Sequence, residues 1–262
     1  AERYPEMQLV GNAKTFAMLR QFFGAKAPTD DRLLEVGEGE TLPLGAHTLH
    51  FMLAPMVHWP EVMVTYEETE KLLFSADAFG RFGALSRTAA APWAPQARRY
   101  YYNIVGKYGA QVQALLKKAA ALEIETICPL HGPVLTGGAL AEALRLYDLW
   151  SRWQSESPDD ILLAHASIHG NTARAAELLK QKLEAKGARV TLCDLTTTEV
   201  SYAVANAFYC GKLVLACSTY DGGLFPPMEE FLSHLQAKGF RDRSVGLMEN
   251  GSWAPAAARL MR

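Results

Sequence analysis

A short polar loop stands between an apolar run and a helical run, and its residue types could bind an anion. The apolar run is Leu162–Ala166, and apolar residues recur at helical spacing from Ala173 to Leu183. The loop between them consists of Ser167, Ile168, His169, Gly170, Asn171 and Thr172. The first N–H groups of a helix lack partners within it and favour negative charge. The stretch therefore predicts an anion site, with an ordinary strand–turn–helix and a capping Asn or Thr as the alternative.

The composition of this loop indicates which anion it would bind. No Lys follows the glycine, so the P-loop pattern GxxxxGK[ST] is absent, and the GxGxxG dinucleotide turn is absent too. A single phosphate held by hydroxyls and amides indicates flavin mononucleotide (FMN). The stretch resembles the phosphate loop of flavodoxins, which read S/T-x-x-G-x-T after the first strand.

Two later strands end in loops that would complete a flavin site. Their candidate flavin-binding residues are Thr219, Tyr220, Asp221, Gly222, Asn250, Gly251, Ser252 and Trp253. Ligands of open α/β sheets bind at the carboxyl ends of the strands, so we expect the three loops to meet there. The rings of Tyr220 and Trp253 are predicted to contact the isoalloxazine ring, with ordinary loop aromatics as the alternative.

A second set of chemically capable residues lies in the first half of the chain. His58, Asp77 and His131 each lie at the end of an apolar strand, with Pro or Gly close by. Polar groups held by stiff neighbours can preorganise a metal site. Two imidazoles and one carboxylate suit iron or zinc, and a carboxylate can bridge two metals. Taken singly, each residue could equally be a hydrogen-bonded turn residue.

Three motifs carry a resemblance to a known family. HWPE at 58–61, FSADAFG at 74–80 and CPLHGP at 128–133, followed by a flavodoxin-like half, look like the flavodiiron proteins, or A-type flavoproteins. The resemblance covers almost the whole chain. It implies an α/β fold in which a metallo-β-lactamase-like αββα domain with two non-haem irons precedes a flavodoxin-like doubly wound parallel sheet with FMN.

The resemblance also assigns roles to the three candidate ligands. It implies that His58 is a terminal iron ligand, Asp77 the bridging carboxylate and His131 a ligand of the second iron. The family's HxExDH cluster, which supplies the remaining ligands, is absent from this sequence. We therefore expect a piece of a longer protein, cut at both ends, with a degenerate site as the alternative.

The elements that would position these residues fall into two groups. Short α and β pieces, among them a helix at Ala13–Phe23, run to a helix at about 139–153. Four strands near 161–166, 189–194, 212–217 and 244–249 then alternate with helices, as in a βαβ sheet. Residues 86–95 are predicted to be a loop. The polar segment Ser155–Asp160 is the predicted boundary, which gives a partial metallo-β-lactamase-like domain at 1–155 and a flavodoxin-like domain at 156–262. The second domain is expected to lack its last strand and helix.

Composition excludes several classes of partner. The net charge of −2 gives no reason to expect nucleic acid or an anionic membrane surface. No apolar run approaches the ~18 residues of a membrane span, and no signal-peptide layout begins the chain. Cys128, Cys193, Cys210 and Cys217 form no CxxC pair and are predicted to be reduced thiols of a cytoplasmic protein.

The resemblance implies an electron-transfer oxidoreductase that reduces dioxygen to water or nitric oxide to nitrous oxide. The metal site would do the catalysis, without a side-chain nucleophile. A redox protein or reduced cofactor would donate electrons, and a head-to-tail homodimer or tetramer would bring flavin and iron together. A zinc-dependent hydrolase of the metallo-β-lactamase fold and a non-catalytic flavodoxin-like electron carrier are the alternatives.

Overall fold

A computed structural model describes residues 3–4, 6–88 and 91–262 of the chain. The chain divides into two compact units, one comprising residues 1–97 and 108–151 and the other residues 98–107 and 152–262. The units therefore divide between Ser151 and Arg152, while the predicted domain boundary at 155/156 stays a prediction. In the described part of the chain, no helix is both long and apolar enough to cross a membrane.

The described strands of the first unit form a small parallel pair and one larger mixed sheet. They are β1 (Leu9–Gly11), β2 (Leu33–Glu35), β3 (Thr41–Leu44), β4 (His47–Leu53), β5 (Met63–Glu67), β6 (Leu72–Phe74), β7 (Thr126–Cys128) and β8 (Leu135–Thr136). Strands β1 and β2 pair in parallel, and β3 to β8 follow one another across a six-stranded sheet. Only the β6–β7 pairing of that sheet is parallel. The parallel pair matters for the site, because it brings the carboxyl ends of β6 and β7 side by side.

The described α-helices of the first unit lie between its strands in the chain or follow the last of them. They are α1 (Ala13–Phe23), α2 (Leu85–Thr88), α3 (Trp93–Tyr100), α4 (Gly109–Ala119) and α5 (Gly137–Ser151), and the last residues of α3 belong to the second unit. Helix α1 begins where Asn12 Oδ1 accepts a hydrogen bond from the Thr15 N–H at 3.1 Å, which satisfies a free donor of the first turn. The prediction of a loop at 86–95 is wrong where α2 and α3 lie, while residues 89–90 lie outside the described part.

The described strands of the second unit build a mainly parallel sheet. They are β9 (Ser157–Ala166), β10 (Val190–Asp194), β11 (Cys210–Tyr220), β12 (Gly223–Leu224) and β13 (Ser244–Asn250). Parallel pairings give the spatial order β10-β9-β11-β13, and β12 folds back antiparallel on the end of β11. This order, second-first-third-fourth, is that of a doubly wound flavodoxin-like sheet, with its switch point between β9 and β11.

Helices follow the parallel strands of this unit. They are α6 (Asn171–Glu184), α7 (Val200–Tyr209), α8 (Pro226–Ala237) and α9 (Ala257–Met261). Under α6, the buried side chains of Leu163, Ala176 and Ala216 form a core cluster between helix and sheet. Tyr102 belongs to this unit, and its ring stacks on Phe208 with centroids 3.9 Å apart. The packing fixes the strand ends, and with them the loops of the candidate site.

Candidate functional site

The polar loop after β9 has the backbone of an anion-binding turn. Strand β9 ends at Ala166, α6 begins at Asn171, and Gly170 between them has a φ of 83°, in the left-handed region that favours glycine. The Oγ of Ser167 is buried and has no hydrogen-bond partner among the residues that the structure describes. A buried hydroxyl without a partner is costly, so this one fits a ligand oxygen beside the helix N-terminus.

A cavity of about 740 Å³ lies at the carboxyl ends of β9, β11 and β13. It is lined by twelve of the fourteen predicted flavin-binding residues, those other than Gly170 and Thr172. Ser218 and Ala254 also line it and were not predicted. Its volume falls within the ~300–1,000 Å³ of small-molecule and cofactor sites, so the residues present fit a flavin.

Thr172 is one of the two predicted residues that do not line the cavity. Its side chain is buried, and its Oγ1 lies 2.9 Å from Ser218 Oγ and accepts a hydrogen bond from Asn250 Nδ2 at 3.3 Å. The hydroxyl therefore connects the first turn of α6 with the ends of β11 and β13. Sequence reasoning missed Ser218 because its signal, a buried serine at a strand end, is common in ordinary sheets.

Two aromatic side chains stand at the cavity with much of their surface exposed. Trp253 is 83% exposed and Tyr220 is 50% exposed. The Tyr220 ring packs against Phe225 with centroids 5.8 Å apart. Large exposed rings around a polar cavity are suited to covering a planar aromatic ligand.

The three candidate metal ligands of the first unit lie together. Asp77 Oδ2 is 3.6 Å from His58 Nε2, and Asp77 Oδ1 is 3.3 Å from His131 Nε2. Asp77 follows β6 and His131 follows β7, so the parallel pairing of these strands sets the contact. Met56 (φ 65°) and Ala76 (φ 51°), close to the ligands, have left-handed backbones, a costly conformation that is typical of functional sites.

The two oxygens of Asp77 face two different imidazoles. A carboxylate in this position is suited to bridging two metal ions, each of which would have one histidine and one carboxylate oxygen from this set. Among the described residues, no group of three or more His, Cys, Asp or Glu side chains is arranged to hold a metal ion. The three residues thus fit only part of a two-metal shell, because by themselves they do not enclose either ion.

Comparisons with known proteins show which family this chain resembles in sequence and in fold. The sequence pattern of the ODP family beta lactamase matches residues 2–132, half of the chain. A nitric oxide reductase of Moorella thermoacetica is 26% identical, with 97% of this chain and 66% of that protein covered. The crystal structure of the flavodiiron protein from Giardia intestinalis superposes with a TM-score of 0.86 at 25% identity, covering 94% of this chain and 60% of that one.

The chain belongs to the flavodiiron protein family. A rubredoxin-oxygen oxidoreductase of Megalodesulfovibrio gigas is also similar, at 24% identity over 86% of this chain and 58% of that protein. The chain thus spans less than two thirds of the length of these relatives. Membership of the flavodiiron family confirms the predicted α/β fold, a metallo-β-lactamase-like domain followed by a flavodoxin-like parallel sheet.

The flavodiiron motif around His131 contains a glycine that the packing requires. Gly132 has a φ of 101°, and a Cβ there would lie 2.9 Å from Arg81 Cγ. We expect Gly132→Ala to lower the free energy of unfolding by about 2 kcal/mol or more, since the left-handed conformation alone costs an alanine ~1–2 kcal/mol. It should also displace His131, whose carbonyl accepts the Arg81 N–H at 3.2 Å.

Urea unfolding of the purified protein measures this effect. Gly138→Ala is the matched control, because a Cβ at Gly138 meets nothing within 4 Å and α5 tolerates alanine. We expect the control to change stability by less than about 1 kcal/mol, in the stabilising direction. Equal stability of the two variants would contradict the packing constraint at Gly132.

Proposed function

We propose that this protein is a flavodiiron oxidoreductase that uses FMN and a non-haem di-iron site to reduce dioxygen to water or nitric oxide to nitrous oxide. The observation that carries the proposal is the pairing of two sites in one chain. One is a cavity at three strand ends with the unpartnered Ser167 hydroxyl, and the other is Asp77 facing His58 and His131. The names of two relatives, a nitric oxide reductase and a rubredoxin-oxygen oxidoreductase, support the two candidate substrates.

We infer the role of each residue from where it lies in its site. When bound, FMN supplies one- and two-electron transfer and a pair of ferrous ions supplies binding and reduction of a small diatomic molecule. Ser167 and the first N–H groups of α6 would hold the flavin phosphate, and Tyr220 and Trp253 would cover the ring. His58 and His131 would each hold one iron, with Asp77 between them. The remaining ligands of the family's shell lie outside this set of three.

We propose the partners from membership of the flavodiiron family and the location from the state of the cysteines. A redox protein or reduced cofactor would donate electrons, and a head-to-tail homodimer or tetramer would join the flavin of one subunit to the metals of another. The four cysteines are free, and burial raises the pKa of each thiol, that of Cys210 to about 11. Free, protonated thiols support a reducing, cytoplasmic location.

A flavodoxin-like electron carrier is the second candidate, favoured by the absence of a three-ligand metal group among the described residues. A hydrolase would have no use for the flavin cavity. Measuring the bound flavin and the bound metal separates the three functions. The oxidoreductase requires FMN and iron, the electron carrier requires FMN alone, and the hydrolase requires zinc without flavin.

We expect the intact protein, purified under iron-replete conditions, to be yellow, to release FMN and not FAD on denaturation, and to contain iron. The measurements are chromatography of the released flavin and metal analysis per chain. FMN without iron would support the electron carrier. Zinc without iron and without flavin would support the hydrolase and overturn the proposal.

A further inference from the structure

A buried histidine lies just below the phosphate loop. His165 on β9 is 4% exposed, and its Nδ1 has no hydrogen-bond partner among the described residues. It precedes Ser167 by two positions, so in a continuing strand the two side chains share one face of the sheet. On that face the core cluster containing Leu163 and Ala216 packs under α6. The imidazole therefore lies between this core and the end of the strand.

One carboxylate stands close to the imidazole without reaching it. Asp194 is the register partner of His165 on β10, and its Oδ1 is 3.9 Å from His165 Nδ1. That distance is too long for a hydrogen bond. Asp194 Oδ1 instead accepts hydrogen bonds from the N–H and the Oγ1 of Thr196, at 2.9 and 2.7 Å. The two side chains are therefore close enough to form an ion pair once the imidazole is protonated, and the neutral imidazole does not form one.

The charges around His165 oppose one another. Burial lowers the pKa of His165, while Asp194 from β10 and Glu177 from α6 act to raise it. On the β11 side its register partner is Ala216, which cannot titrate. His169, in the loop itself, is exposed and lines the cavity. Without a ligand, burial prevails and His165 is neutral at neutral pH.

We propose that His165 takes up a proton from solvent when the phosphate of FMN enters the loop, and that its imidazolium then pairs with Asp194 and holds the loop in its binding position. The inference rests on the proposed flavin function and assigns His165 as a positioning residue. The added negative charge of a phosphate above α6 favours the imidazolium, which burial alone disfavours.

The sign of the effect follows from linkage. If the bound state has the higher pKa at His165, FMN binding strengthens as the pH falls through that pKa, and the gain is complete below the pKa of the free protein. Each unit by which binding raises the pKa contributes up to about a tenfold gain in affinity. The phosphate itself gains a proton near pH 6, which weakens binding, so only the difference between proteins is informative.

The test is the dissociation constant of FMN, measured by flavin fluorescence from pH 5.5 to pH 8.5, with riboflavin as the ligand that lacks phosphate. Between pH 8 and pH 6, we expect the FMN affinity of the parent protein to rise at least about threefold more than that of His165→Gln. For riboflavin, we expect no such difference between the two proteins. His234→Gln, the same exchange on α8 outside the three loops, should follow the parent profile.

Asp194→Asn is the second variant, since it keeps the imidazole and removes the charge that it would pair with. We expect it to lose most of the same pH dependence, and it serves alone if His165→Gln does not fold. Identical FMN profiles for the parent and these variants would overturn the inference while leaving the flavin function intact. Failure of the parent protein to bind FMN or riboflavin at any pH would overturn both.

Discussion

In the intact, iron-loaded protein, replacing Asp77 with alanine should remove most of the iron from both positions and abolish reduction of oxygen or nitric oxide. The two oxygens of Asp77 face different histidines at 3.6 and 3.3 Å, so one substitution removes a ligand from both proposed ions. Loss of an outer partner of a metal ligand already weakens affinity about 10–100-fold, and loss of a shared ligand should exceed that. His58→Ala should be milder and leave one iron in place.

Iron and flavin per chain, measured together for each variant, decide this prediction. Flavin should stay at the parent level, because its loops belong to the other unit. Glu68→Ala is the control: Glu68 Oε2 also faces a histidine, His50 Nε2 at 3.0 Å, but is not one of the proposed ligands. Full iron with full activity in Asp77→Ala would refute the di-iron assignment, and joint loss of iron and flavin would indicate unfolding.

Thr172→Val should weaken FMN binding about tenfold and destabilise the second unit by about 1–3 kcal/mol. The change removes the hydroxyl that Ser218 Oγ and Asn250 Nδ2 contact at 2.9 and 3.3 Å. Valine matches threonine in shape, so the loss is polar: two groups near the cavity lose a partner, and the three loops lose their link.

FMN titration and thermal unfolding measure the two effects of this variant. Thr172→Ser keeps the hydroxyl and should bind FMN within about threefold of the parent, because the hydrogen-bonded link remains. Unchanged FMN affinity in Thr172→Val would show that the link does not support the phosphate loop. A stability loss of equal size in Thr172→Ser would attribute the effect to the methyl group instead.

Local patterns in the sequence were sufficient for several elements. Helix α1 was predicted at Ala13–Phe23, the bounds that the structure has, because its apolar spacing is sustained over three turns. The meeting of the three flavin loops was also predictable, since parallel strands place their carboxyl ends at one edge of a sheet. Both outcomes depend on periodicity and chain direction, which short windows contain.

One local prediction was wrong and one strand start was misplaced, each for an identifiable reason. The segment at 86–95 was predicted to be a loop because it is rich in Ala and Pro, yet α3 begins at Trp93. Pro95 lies in the first turn of that helix, where the missing N–H needs no partner. Strand β9 begins at Ser157, four residues before the predicted start, because Ser157 pairs with Cys210 of β11. Such pairing depends on a partner more than fifty residues away.

The sequence by itself determined which side chains could bind a phosphate or a metal, because residue type and strand-end position are local properties. Only the tertiary structure decided which of them meet. Three arrangements bring together residues that are distant in the chain. Asp77 faces His58 and His131, the Thr172 hydroxyl lies beside that of Ser218, and a distance of 3.9 Å separates His165 from Asp194. Packing of sheet and helix sets those distances, since each side chain takes the orientation that its buried neighbours leave open.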